Sequence, residues 1–346
     1  AKGSARFTTE TAGQRVDDLD FAIGGVRATG NVALAGGLAK GRLQIAASDL
    51  SDLSPLILTQ IAGRLDATVV LDTPNNVQRI AVNGTARNIA VAGNRLDQAD
   101  IDLTVADPAN APVLNGRATL SGLVTGSQRI EKATLTAKSA GSATDITLDT
   151  AFLGASIAAR ANVAPAAGST AVRLDQLRLA KGPATVTLSQ PANITLANGG
   201  VAIDRLVLAT GGGGATISGK AGAGALDLTA DIRNLPLALA AIASPTLDLR
   251  GTLSGNARIT GTPASPSGNY DIRVAGLTMP EIQRQGAGPF DIAAKGTLGG
   301  GRVNVDAAIN GRNISGLTIR GSAPIGAGNL DLRIAGAIDL AIANTA

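Results

Sequence analysis

The residues that could do chemistry are few. Gly214-Ala-Thr-Ile-Ser-Gly219-Lys220-Ala221 has the spacing of a phosphate-binding loop up to its last position. A working P-loop ends in a Ser or Thr that ligates Mg²⁺ and opens a helix beneath the phosphates. Here Ala221 occupies that place and Gly222-Ala-Gly224 follows, so the stretch reads as a Gly-rich hairpin. The adjacent acids Asp17 and Asp18 have no visible acid–base partner. The acids of the Leu-Asp-Leu runs fall on the polar side of an alternating pattern, where solvation suffices. Asn83-Gly-Thr85, Asn193-Ile-Thr195 and Asn313-Ile-Ser315 match glycosylation sequons but read as turn and strand chemistry. The chain has no His and no Cys. That removes His-based triads and metal ligands, thiolate nucleophiles, structural zinc and disulfides. The expectation is a non-enzymatic chain with no metal and no cofactor.

What remains must act through surface. Hydrophobic residues make up 45% of the 346 positions, yet aromatics make up only 1%: Phe7, Phe21, Phe152, Phe290 and Tyr270, with no Trp. The apolar surface is therefore aliphatic. The net charge of +4 is small, and Lys and Arg are scattered without interleaved aromatics. A basic stripe or stacking platform is missing, so nucleic acid is not an expected partner. The longest apolar run, Leu235-Pro-Leu-Ala-Leu-Ala-Ala-Ile-Ala243, is short of the roughly 20 residues that span a bilayer. No signal peptide is visible and the chain begins mid-pattern without Met, which reads as a segment of a longer protein.

The elements that carry this surface are strands. Leu247, Leu249, Leu253 and Ile259 alternate with Asp248, Arg250, Ser254 and Arg258, and Leu330, Leu332, Ile334, Ile338 and Leu340 alternate near the end. Shorter runs include Leu226-Asp-Leu228, Ile232, Ile272-Arg-Val274, Ile292, Val303-Asn-Val305, Ile309 and Leu317-Thr-Ile319. Alternate side chains of a strand point to opposite faces, so each run has one dry and one wet face. Gly36-Gly37, Asn83-Gly84, Asn115-Gly116, Asn198-Gly199, Gly299-Gly300-Gly301 and Asn310-Gly311 read as tight turns between strands. Gly261–Gly268 reads as a long turn, and Ala161–Thr170 as a joint. Two Pro-led apolar stretches, 47–63 and 230–243, read as short helices that plug or cap the sheet at corresponding points of a degenerate repeat.

About twenty strands must bury an aliphatic face. A compact sandwich uses fewer strands and an aromatic core, a transmembrane barrel carries aromatic girdles, and a β-helix seals parallel coils. The remaining arrangement is an all-β, elongated, folded sheet with an apolar groove, on the order of 100 Å long at about 4.8 Å per strand. An open aliphatic face is costly in water and suits flexible acyl chains better than a shaped small molecule. The groove-lining candidates are the apolar residues named from Leu226 to Leu340.

The stretch from Leu226 to Pro266, with Asn-Leu-Pro-Leu-Ala-Leu (Asn234–Leu239) and Leu247-Asp-Leu-Arg-Gly-Thr-Leu253 at its centre, resembles the carboxy-terminal half of the TamB family of the AsmA-like superfamily. Pro191–Leu208 resembles it too. The likeness covers about 172–285 and is pattern-level elsewhere, because no catalytic motif defines the family. The resemblance implies a β-taco fold in the periplasm, anchored to the inner membrane through a segment not present here. It also implies a groove for phospholipids moving between the membranes. An Omp85-type outer-membrane barrel partner is implied as well, within a translocation and assembly module that supports secretion. On it, 1–165 is an upstream β-groove segment, continuous with a β-taco segment of the family type over 166–346. Two other readings stand beside it: a β-solenoid adhesin or passenger, and a scaffold whose strand edge templates outer-membrane strands without lipid transport.

Overall fold

The computed structural model describes residues 2–10, 13–110, 112–126, 128–166, 168–222, 224–240, 248–284, 288–312 and 314–338. Within them the protein is all-β, with 23 strands. It divides into two compact units. One comprises Ala1–Leu153 with Ile157–Pro165, the other Gly154–Ser156 with Ala166–Ala346.

The first unit begins with β1 (Lys2–Glu10), β2 (Gly13–Ile23), β3 (Val26–Ala35), β4 (Leu38–Ala47) and β5 (Ile61–Asp72). It continues with β6 (Arg79–Val91), β7 (Asn94–Ala106), β8 (Val113–Thr125), β9 (Gln128–Ala140) and β10 (Ala143–Phe152). Each pairs antiparallel with the next. β11 (Ala155–Ala166) carries residues of both units. The second unit runs through β12 (Ser169–Lys181), β13 (Ala184–Leu188), β14 (Ala192–Ala197), β15 (Gly200–Thr210), β16 (Gly213–Ala221) and β17 (Leu226–Pro236). Then come β18 (Arg250–Thr262), β19 (Ser265–Thr278), β20 (Phe290–Gly299), β21 (Arg302–Gly311), β22 (Ile314–Pro324) and β23 (Asp331–Ile338). β13 and β14 together lie between β12 and β15 as one broken strand. The break falls at Ser189-Gln190-Pro191, where Pro191 has no N–H to give the ladder. Ser189 N still donates to Val207 O at 2.8 Å.

Several turn signals sit elsewhere than the sequence suggests. Gly36-Gly37, Asn198-Gly199 and Gly300-Gly301 do turn the chain, but Asn83-Gly84 lies inside β6 and Asn115-Gly116 inside β8. Gly116 adopts φ 127°, and a Cβ there would overlap the carbonyl oxygen of Asp102 on β7. The residue is Gly because a neighbouring backbone passes close, not because the chain reverses. Gly261–Gly268 is no long turn either: β18 and β19 are joined by Pro263-Ala264 alone.

The helical plug expected at 47–63 is present. Asp49 accepts from Ser51 N at 2.9 Å and caps a 3₁₀ turn at Leu50–Leu53, which runs into a helical turn at Ser54–Ile57 with Pro55 in its first turn. In the 230–243 stretch a 3₁₀ turn forms at Leu237–Leu239, and residues 241–243 lie outside those described. A helix at Pro280–Arg284 had no counterpart in the sequence reading.

Candidate functional site

Cross-strand register gathers the aliphatic positions onto one face in each unit. In the second unit one row runs Leu235, Leu253, Val274, Ile292, Ile309 and Leu317 from β17 to β22. A parallel row runs Ala215, Ile232, Gly255, Ile272, Ala294, Ala307, Ile319 and Ile334. A third runs Gly219, Leu228, Ile259, Gly268, Leu298, Val303 and Ala323. Val305 pairs with Gly321, Ile338 with Ile314, and Leu226 with Gly261. Leu249 immediately precedes β18, and Leu330 immediately precedes β23. Leu247 and Leu340 lie outside the described residues. The opposite face carries Asp231, Asn256, Asp271, Lys295, Asp306, Arg320 and Arg333 in a single row, with Arg320 and Asp306 paired at 3.0 Å.

In the first unit the same geometry gives Ile23, Val26, Ala47, Leu65, Ala86, Ala99, Leu120 and Ala133 as one row. Another row reads Leu43, Val69, Val82, Leu103, Gly116, Ala137 and Ile146. Large and small residues mix along these rows. The result is visible in what is buried: Ala47, Ala99, Ala137, Ala155, Ala184, Ala192, Ala215 and Ala307, with few larger side chains. A short side chain between taller neighbours is roofed by them, while the tall ones stand half-exposed. No large side chain is fully buried among the described residues.

The accessible surface leads to the same conclusion. A compact monomer of 34.2 kDa exposes about 12,900 Å², and two independent compact halves would expose about 15,500 Å². The protein exposes 19895 Å².

Three of the five aromatics lie over a glycine of the adjacent strand. Tyr270 covers Gly296, Phe290 covers Gly311 and Phe21 covers Gly3. The Tyr270 hydroxyl donates to Asn304 O at 3.1 Å, and partial burial raises its pKa above the ordinary phenol value. A ring over a strand glycine restores contact where Cβ is missing. Sequence reasoning noted these rings only for their scarcity, although Tyr270 and Gly296 both hold dry-face positions of their strands.

Among the described residues the plug supplies the one cluster in which large aliphatics are covered. Val26, Ala47 and Leu50 are buried together, with Ile23, Leu53, Ile61, Leu65 and Ile89 packed against them. Asp52 fixes the plug to the sheet by accepting from Gly25 N at 2.6 Å. Beside it a cleft of about 810 Å³ opens at the ends of β5 to β8.

The candidate chemistry is otherwise accounted for by the strands. The P-loop-like Gly214–Ala221 lies on β16. Asp18 pairs with Arg6 at 3.5 Å and Asp17 with Arg15 at 3.4 Å. No group of acids able to hold a metal ion occurs among the described residues, and no helix there is long and apolar enough to cross a membrane. No protein-family model, curated protein or solved structure matches the chain.

Proposed function

We propose that the chain is a non-catalytic lipid-shielding module whose aliphatic sheet face receives phospholipid acyl chains. The observation that carries this is the row Leu253–Val274–Ile292–Ile309–Leu317, apolar across five strands and partly exposed on every one of them. An exposed strip of this kind costs about 25 cal/mol for each Å² kept in water, so an apolar occupant is favoured. Branched aliphatics with few polar anchors accept chains of variable length and saturation rather than one shape. The resemblance to the TamB family supports the same reading. It adds a periplasmic site between two membranes, an inner-membrane anchor outside this segment and an Omp85-type partner as parts of the proposal.

The test is native mass spectrometry and lipid extraction of the purified chain, with Leu253→Asp and Ile292→Asp as variants. Phospholipid is expected on the wild-type chain and is expected to fall away in both variants. A lipid-free wild-type chain, together with variants that leave envelope integrity intact, would overturn the proposal. A second reading has one observation in its favour. Among the described residues β23 pairs with β22 alone, and Leu332 and Ile334 on it are exposed, which suits it to accept a strand from an outer-membrane barrel. Crosslinking from β23 to a nascent barrel would support it. The β-solenoid reading requires parallel coils, whereas the ladders of both units are antiparallel.

A further inference from the structure

We infer that the cleft beside the plug of the first unit is a headgroup site for an anionic phospholipid, with Arg95 as the residue that pairs with the phosphate. The inference rests on the lipid reading above and places one end of the lipid. The cleft lies at the ends of β5 to β8, where Ala62, Ala90, Arg95 and Val124 stand in one row of the register and Ile61 and Val91 alternate to the other face of their strands. Its volume falls in the range of small-ligand pockets, enough for a headgroup and the first part of a chain.

Most of the polar groups around the cleft are already engaged. Ser54 Oγ accepts from Ile61 N at 3.1 Å and donates to Ile61 O at 3.3 Å. Asn94 Nδ2 donates to Val91 O at 3.4 Å. Arg95 is the one charged residue lining the cleft, and it makes no ion pair among the described residues. The nearest acid on its own strand, Asp97, points its carboxylate at Gly122 on β8. The register sets a second cation close by: Arg95 pairs with Val124, and Val124 with Arg129, so the two guanidinium-bearing residues flank one valine in a single row. A free guanidinium is a bidentate donor matched to phosphate. Immediately after Ser54 the plug projects Leu56, Ile57 and Leu58 into solvent, with Leu58 91% exposed. An apolar tip next to a cationic cleft suits a lipid surface and does not suit a free soluble anion.

The test uses the purified full chain with vesicles of phosphatidylglycerol, vesicles of phosphatidylcholine, and inorganic phosphate alone. Arg95→Gln is expected to weaken phosphatidylglycerol binding roughly tenfold, the loss of one charge-assisted contact, and to change phosphatidylcholine binding much less. Ala62→Trp places a ring in the cleft from an exposed position and is expected to weaken both lipids. Equal phosphatidylglycerol binding by wild type and Arg95→Gln would overturn the site while leaving the lipid reading intact. Inorganic phosphate binding as tightly as the vesicles would also overturn it, leaving a plain anion site. A wild-type chain that takes up neither lipid would overturn both readings together.

Discussion

The two units present the same kind of face under different cover. In the first, the plug lays Leu50 over Val26, Ala47, Leu65 and Ile89, and Leu50 is only 5% exposed. In the second, the Leu253–Leu317 row is partly exposed on every strand, and the 3₁₀ turn at Leu237–Leu239 lies against β18. Both rows are apolar but differ in size: the first mixes branched aliphatics with Ala, and the second is branched aliphatics throughout. A few plug residues are enough to close such a face where the chain supplies them. Openness elsewhere is therefore a property of what the loops bring as well as of what the strands offer. Both units also share a backbone device. Gly116 on β8 and Gly219 on β16 take φ 127° and 125°, and each leaves room for the carbonyl of an Asp-Leu pair on the next strand, Asp102-Leu103 and Asp227-Leu228.

That shared device gives the largest expected effect. Gly116→Ala and Gly219→Ala each force an unfavourable φ and a steric overlap with backbone. Each is expected to destabilise its unit by about 2–5 kcal/mol, combining backbone strain with overpacking. Urea melts followed by hydrogen exchange would locate the loss: in β7 to β9 for the first variant and in β15 to β17 for the second. Loss confined to one unit would show that the device is not equivalent in the two.

The difference in cover gives the next effect. Leu50→Ala removes a buried side chain and is expected to cost about 2–4 kcal/mol. Leu253→Ala removes one that is partly exposed and is expected to cost no more than about half as much. Equal costs by chemical denaturation would mean that the second unit's row is covered after all, and the lipid reading would lose its main support. Asp49→Ala probes the plug itself. Its carboxylate is held below the usual range by the backbone N–H of Ser51 and then by that residue's side chain. A depressed acid pKa stabilises above the unfolded-state value near 3.9 and stops doing so as pH falls through the folded value. Cleavage of the 48–60 loop by protease should rise on acidification in the wild-type chain, and should already be high at neutral pH in the variant.

Much of this surface was legible in the sequence because period two fixes which residues share a face. Leu253, Val274, Ile292, Ile309 and Leu317 alternate with polar residues in their own strands, and register merely lines them up. What alternation does not encode is the distance to the next backbone. Asn83-Gly84 and Asn115-Gly116 carry the same dipeptide as a hairpin turn. Only the partner strand's carbonyl shows that these glycines serve close approach. Cover was equally hidden. Pro55 and Asp49 announce a short helix at 47–63, but nothing local says that Leu50 packs on Val26 across the sheet. Leu332 and Ile334 read as lining residues from their spacing, yet among the described residues β23 has β22 alone beside it, and they are more exposed than the central rows. The Arg95 cleft could not be read at all, because its lining comes from the plug and the ends of four strands.

The smallest effect is the most direct measure of the open face. Tyr270 is the only tyrosine and there is no Trp, so phenolate absorbance and intrinsic fluorescence report this one dry-face ring. Burial against Gly296 disfavours the phenolate and raises its pKa. A raised folded-state value means that the neutral phenol's stabilising contribution is complete below about pH 10 and is lost as pH climbs through the folded pKa. The native titration midpoint should therefore exceed that of the urea-unfolded chain, and Tyr270→Phe should flatten this part of the stability profile. Identical midpoints in the two states would mean that the ring is fully wet. Phospholipid vesicles supply the sharper arm. Acyl chains laid along the face would exclude water from the phenol and move the midpoint further up. A lipid bound only at the first unit's cleft would leave Tyr270 unchanged, because the register places it on β19 in the second unit.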